Sequence, residues 1–355
     1  MKRRNMPQTF TDARFPGVIG TFMGRDALSL ALSWIPRVRD AAVLLPIYTC
    51  QDVVRKFARC GTVVYYDLRP DLTIDPSEIR AKLRSNRIGL TIITNYFGFL
   101  QPHRLEIKAL CEASGSYLLE DCAHSLLTEG SGETGDIAIY SFRKILPIPD
   151  GGGLKLNMKM TPPAVRYHPT AYSNALSMLI TAKSMLAIHS NKFNRAAVEN
   201  RAKAGVPDSE SPETMQRILP LSPLTRRRMG RLSFAEVIEN RRRDFRFWLD
   251  VCKSSDSVAP VFEDLPGEVC PHGFPVKMED RDSFEAMARQ KGAGLSVHWR
   301  LDPAIGSDCT TSHRLTRELI TLPIYPELTP RRREAITRLL HQRGPKAAKT
   351  FATSH

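Results

Sequence analysis

Long hydrophobic runs are missing from this sequence. No stretch of about 18 apolar residues occurs, so no membrane-spanning helix is expected. The opening Met1-Lys-Arg-Arg-Asn-Met-Pro7 has the positive charge of a secretory leader without the apolar block that should follow it, and a cytoplasmic protein is the expectation. Paired cysteines are missing too. The seven at positions 50, 60, 111, 122, 252, 270 and 309 stand apart with no Cys-x-x-Cys, so neither a metal site nor a disulfide framework is indicated. Several lie in apolar patterns, where a thiol behaves as a small hydrophobe. Negative charge is the scarcer sign, with 37 Asp and Glu against 51 Lys and Arg, a net charge of +14. Basic runs at 226–228, 241–243 and 331–333 would suit an anionic ligand, a membrane surface or nucleic acid. No helix-turn-helix, finger or RNA-binding signature accompanies them. Solvated helix faces are the expectation, with an anionic ligand as the alternative.

What is present is ordinary in bulk and specific in one stretch. At 355 residues, 42% hydrophobic and 25% charged, the chain can build a large core and a second, smaller domain. The specific stretch runs from Tyr117-Leu-Leu-Glu-Asp-Cys-Ala-His-Ser125 through Gly135-Asp-Ile-Ala-Ile-Tyr-Ser-Phe-Arg-Lys144 to Asp150-Gly-Gly-Gly153. Leu118-Leu119 reads as a buried strand ending at Glu120-Asp121, and 137–140 as a second strand ending at Ser141. Ligands of open α/β sheets bind beyond the carboxyl ends of the strands, so both motifs project into one crevice.

These residue types are the parts of a pyridoxal 5'-phosphate site. Lys144 can supply the Schiff-base amine, Asp121 the partner of the protonated pyridine nitrogen, and Ser141 a phosphate ligand. The glycines after Asp150 allow close backbone approach. In this order, Glu-Asp-Cys-Ala-His-Ser, Gly-Asp-Ile-Ala, Ser-Phe-Arg-Lys and Pro-Asp-Gly-Gly resemble the DegT/DnrJ/EryC1/StrS aminotransferase family, of the fold type I, aspartate-aminotransferase-like superfamily.

The resemblance implies an α/β fold. Its large domain has a mostly parallel sheet covered by helices on both faces, and strand and helix do alternate over the first 150 residues. The expected division is a large domain over 1–230, with a variable, insertion-like segment at 158–220, and a linking helix with a small α+β domain over 231–355. The resemblance also implies an amino group moved from glutamate to a keto-sugar nucleotide by a homodimer. Lys144 then acts as the general base once freed from the cofactor. A lysine here, where the family's dehydratases carry histidine, favours transamination.

Further cofactor contacts follow by position. Gly24 and Arg25 match the family's Gly-Arg step before a helix whose N-terminus holds the phosphate. His124 corresponds to a Gln or His facing the ring. Asn95 and Tyr96 end a buried strand beside the site. The ring-stacking position, counted from Pro46, falls on Cys50, which has no ring, so Tyr48 or Tyr96 is the substitute.

Three further departures stand out. Ser141 and Lys144 are three residues apart where many members have five, although Lys144 to Asp150-Gly-Gly152 keeps the family spacing; Lys155 is the near rival. Only about twenty residues precede the first helix. The family's Gly-Tyr-Asn-Tyr-Arg element is missing, with Leu221-Ser-Pro-Leu-Thr225 near its place. That leaves open a pyridoxal phosphate enzyme for a non-sugar ketone, or a non-catalytic basic binding protein on the same scaffold.

Later in the chain the patterns give helices over 173–189, 232–252, 282–291 and 330–340 and strands over 270–276 and 295–300, and Glu318 to Pro326 resembles the family's Leu-Pro-x-x-Pro ending. In the helix over 232–252 the stripe of Phe234, Val237, Ile238, Phe245, Trp248 and Leu249 faces inward and Arg241 to Arg243 lie on other faces.

Overall fold

The computed structural model describes residues 14–35, 41–59, 61–159, 167–189, 218–255, 258–302 and 305–342. Cys60, the stretches at 191–201 and 205–212 and the tail after 342 lie outside the described residues. Seven strands form the main sheet: β1 (Ile19–Thr21), β2 (Ala42–Pro46), β3 (Val63–Tyr66), β4 (Ile88–Thr94), β5 (Tyr117–Asp121), β6 (Ile137–Tyr140) and β7 (Gly152–Leu156), in the spatial order β1-β7-β6-β5-β4-β2-β3. Neighbours from β3 to β6 run parallel, whereas β7 is antiparallel to both β6 and β1. The register sets Thr94 opposite Asp121 and Asp121 opposite Ile139. The strand ends that carry the motifs are therefore level.

Apolar side chains on both faces of the central strands explain the two covering layers. One face packs Val43, Leu45, Leu90, Ile92, Leu119 and Ile139 beneath α1 (Gly24–Trp34) and α2 (Gln51–Ala58). The other packs Leu44, Ile93 and Leu118 beneath α3 (Pro76–Ser85) and α4 (Arg104–Ser114). Local signals mark the helix ends. Asp75 accepts from the Ser77 N–H at 2.8 Å ahead of Pro76, and α4 stops at the left-handed Gly115, φ 72°.

The chain continues through α5 (Phe142–Ile145), α6 (Thr170–His189), α7 (Pro223–Met229) and the long α8 (Phe234–Lys253). A second sheet, ordered β10-β9-β8, comprises β8 (Ala259–Pro260), β9 (Phe274–Lys277) and β10 (Leu319–Leu322). Phe245 and Trp248 of α8 pack there with α9 (Arg281–Gln290) and α11 (Pro330–Gln342), around Phe274, Phe284, Ile320 and Ile336.

Two sequence expectations are corrected, and one helix was not read from the sequence. Residues 295–300 make one bridge, Ser296 to Thr321, rather than a strand. The Thr316 hydroxyl donates to the Trp299 carbonyl and accepts from the Leu301 N–H, so side-chain bonds replace the ladder. The polar stretch Thr310–Glu318 is a helix, α10. Its N-terminus is capped from afar: the Asp67 carboxylate accepts from the Thr311 and Ser312 N–H groups at 2.9 and 2.8 Å. Finally, Arg241 and Arg242 are buried, not solvated, because their guanidinium groups satisfy the carbonyls of loops folded against α8.

Candidate functional site

Alternation along β5 separates the two acids of the central motif. Glu120 is fully buried and accepts from the N–H groups of Thr134 (2.6 Å), Gly135 (2.5 Å) and Gly132 (3.3 Å). It holds the turn that leads into β6. Asp121, one residue on, lies at the strand end and accepts from the Ala123 N–H at 3.0 Å. Burial pushes its carboxyl above the usual range, while the charge of Lys144 pulls the other way. A buried carboxylate in this position requires a cation beside it.

Lys144 stands on α5, the single helical turn that starts at Ser141; its N–H donates to the Ser141 carbonyl at 3.1 Å. The lysine Nζ lies 3.1 Å from His124 Nε2. His124 is only 2% exposed. Desolvation first, then the charges of Lys144, His272 and His298, holds its pKa well below 6.5. With Lys144 donating, a neutral imidazole would accept at Nε2 and carry its own proton on Nδ1, a buried atom without a hydrogen-bond partner.

Gly24 and Arg25 open α1 beside Ser141. A Cβ at Gly24 would lie 3.2 Å from the Tyr140 carbonyl and 3.4 Å from the Ser141 Cβ, so a side chain there would crowd the seat of α1 on the end of β6. Arg25 Nη2 is buried with no hydrogen-bond partner. An unused guanidinium nitrogen at a helix N-terminus, next to a serine, fits a phosphate. The unpartnered His124 Nδ1 and the Asp121 carboxylate fit the polar rim of a pyridine ring. The residues present therefore suit pyridoxal phosphate.

Two further expected contacts are fully buried. Asn95 is fully buried, and both ends of its amide are engaged: Oδ1 accepts from the Gln101 N–H at 3.0 Å and Nδ2 donates to Glu120 at 3.3 Å. It braces the strand ends. Tyr48 is also fully buried, with its ring 6.0 Å from that of Tyr96, whose hydroxyl donates to the Tyr48 carbonyl at 2.7 Å. Asp150, ahead of the glycines, accepts from the Ser222 N–H and hydroxyl and the Thr225 hydroxyl, at 3.2, 2.7 and 2.6 Å. Leu221 to Thr225 is thus the segment that ties the glycine turn to α7.

The opposite wall comes from the second half of the chain. His272 stacks on His124 with ring centroids 4.1 Å apart, and Trp299 lies nearly parallel to His124 at 5.4 Å. His298 meets His124 edge-on at 5.4 Å. The donor nitrogens of the three histidines lie within 4.8 Å of one another. The His124–His272 stack nonetheless holds their lone pairs in nearly parallel planes, which makes an aromatic wall rather than a tetrahedral nest. Arg241 clamps the two walls together. Its guanidinium donates to the carbonyls of Lys144 (3.2 Å), Ile145 (3.1 Å), Pro271 (3.0 Å) and His272 (3.1 Å). A triple-arginine run carries no local sign of such a role.

Residues 10–157 match the model of the DegT/DnrJ/EryC1/StrS aminotransferase family. Over 136 residues the chain is 26% identical to a GDP-perosamine synthase of Vibrio cholerae, a match spanning 37% of this chain and 36% of that protein. The chain thus covers about a third of the length of that curated relative. Its fold is shared with a DegT DnrJ EryC1 StrS aminotransferase from Brucella abortus, at a TM-score of 0.62 and 19% identity over 92% of this chain and 85% of that one. DesI, solved in the presence of its TDP-sugar product, is similar at 0.62 and 18%, covering 91% and 80%. The putative sugar aminotransferase Spr1654 from Streptococcus pneumoniae, in its PLP form, is similar at 0.64 and 14%, covering 92% and 87%. The likeness to these solved structures is one of fold.

Proposed function

We propose, from the premise that residues 10–157 belong to the DegT/DnrJ/EryC1/StrS aminotransferase family, that this chain is a pyridoxal-phosphate-dependent aminotransferase. It would take an amino group from glutamate and deliver it to a keto-sugar, carried on a nucleotide. The observation that supports this best is the Lys144 amine 3.1 Å from the buried, neutral His124, beside the Asp121 carboxylate.

When bound, pyridoxal phosphate supplies an aldehyde carbon and an electron-withdrawing ring that acidifies the carbon bearing the amino group. Lys144 would hold the cofactor through its amine and, when that amine is free, would move a proton to and from the substrate carbon. Asp121 keeps the ring nitrogen protonated. His124 orients the Lys144 amine and offers its Nδ1–H to the ring's rim. Arg25, Ser141 and the backbone at Gly24 hold the phosphate. Over a full cycle the donor becomes a keto acid and the acceptor an amine, with the protein unchanged.

A non-sugar ketone is the second reading. It is favoured by the Leu221–Thr225 segment, which is committed to Asp150 rather than free to reach a substrate. We further infer a cytoplasmic homodimer, with the chain divided near residue 230 into a cofactor-binding unit and a smaller unit. The basic surface would draw phosphorylated substrates toward the crevice.

The test is an absorbance spectrum of the purified chain beside Lys144→Ala, before and after glutamate. A near-visible band that requires Lys144 and shifts with glutamate is expected, followed by a nucleotide-sugar thermal-shift screen for the acceptor. A protein that takes up no pyridoxal phosphate would overturn the reading and leave a binding role for the fold.

A further inference from the structure

We infer that Trp299 supplies the aromatic face against which the cofactor's pyridine ring packs, in the place left without a ring at Cys50; this rests on the pyridoxal phosphate reading above. A flat ring held by hydrogen bonds at its edges gains orientation from an aromatic surface beneath it. Cys50, the N-cap of α2, has none to offer. Tyr48 and Tyr96 are fully buried in the apolar core behind the strand ends.

Trp299 differs from them in three respects. Its indole lies 24° from the plane of the His124 imidazole and 5.4 Å away, and His124 contacts Lys144. The acceptor atom of a ring that meets the Nδ1 edge of His124 lies close to the imidazole plane, because hydrogen bonds of ring N–H groups run in that plane. A ring that also aligns with the imidazole would present its face to the indole. Next, the Trp299 segment passes beside α2: Gln51 Nε2 donates to the Arg300 carbonyl at 3.5 Å. The indole therefore comes from the side where a residue at position 50 would reach.

Lastly, Trp299 is held but not submerged. Thr316 bonds its carbonyl, the neighbouring His298 Nδ1 is 3.0 Å from the Thr321 hydroxyl, and Tyr48 packs edge-on against the indole at 5.4 Å. It is only partly buried, whereas the chain's other two tryptophans, Trp34 and Trp248, are buried in the cores of the two sheets.

The experiment compares wild type, Trp299→Phe and Trp299→Leu for pyridoxal phosphate affinity by equilibrium dialysis and for the visible circular dichroism of the bound cofactor. Phe keeps a π face, whereas Leu keeps apolar packing against Tyr48 without one. The expected result is a dissociation constant within about threefold of wild type for Phe and raised about tenfold or more for Leu, with a weakened visible band. Equal affinities and identical bands in wild type and Leu overturn the role of Trp299, as does an equal loss in both variants. Should Trp299→Leu fail to melt cooperatively, the Phe variant decides: a visible band altered from wild type supports ring contact, and an unaltered band overturns it. A wild-type chain that binds no pyridoxal phosphate overturns the functional reading together with this one.

Discussion

On one side of the crevice, Asp121, His124, Ser141 and Lys144 follow closely in sequence, on the ends of two paired strands. On the other, His272, His298 and Trp299 come from loops flanking β9 and preceding β10, and reach the site only because α8 and α10 carry them there. The first wall is a motif; the second is an assembly. A strand-end motif positions its side chains by backbone register, so it survives in recognisable sequence. A loop wall depends on remote anchors: Arg241 under His272, Thr316 and Thr321 under the 298–299 step, Asp67 capping α10.

Breaking the first wall should cost chemistry, and breaking the second should cost structure as well. The largest effect is expected for Asp121→Asn, which keeps volume but removes the charge that holds a proton on the ring nitrogen. Turnover should fall about 10²-fold or more, with cofactor still bound by its phosphate; steady-state kinetics beside the cofactor spectrum check this.

Arg241→Ala should be the most damaging change to stability. It strips four carbonyls, two in buried and two in part-buried bonds, of their donor, a loss of about 3 kcal/mol. Urea unfolding measures it, and Arg241→Lys should recover only part because one ammonium cannot span the fork. If Arg241 were the solvated residue that its arginine run suggests, neither change would register.

Asn95→Ala sharpens the comparison from the other direction. A bracing role predicts a loss of about 2 kcal/mol with an unchanged cofactor band. A direct cofactor contact would instead leave stability nearly intact and weaken cofactor binding, so unfolding and dialysis together separate the two.

The smallest effect is one of pH. Burial keeps His124 neutral in the folded chain, with Lys144, His272 and His298 opposing its protonation. The unfolded chain takes up that proton near pH 6.5, so stability should fall as pH drops below 6.5, by at most about 1.4 kcal/mol per pH unit for one proton. Denaturant midpoints between pH 7 and 5 measure the slope, and His124→Gln should flatten it.

The strands at 118–121 and 137–140 and the helices at 232–252, 282–291 and 330–340 were legible to within a few residues, since alternating burial and helical periodicity act over a few residues. The placement of Lys144, Asp121 and His124 about adjoining strand ends was legible for the same reason. The division of labour within Glu120-Asp121 was not, although strand alternation implies that the two must face apart. Neither was the burial of Arg241 and Arg242, because a charged run looks the same in sequence whether its guanidinium groups meet water or carbonyls.

By itself, the sequence determined the order of the elements, the motif with its lysine, aspartate and histidine, and the missing ring at position 50, all of them properties of neighbouring residues. Only the tertiary structure decided that Asn95 braces the strand ends, that Arg241 clamps the two walls, and that Trp299 stands over His124. Each of these depends on which carbonyls and rings the folded chain brings within about 3 to 6 Å across long separations in sequence, and no local pattern encodes that distance.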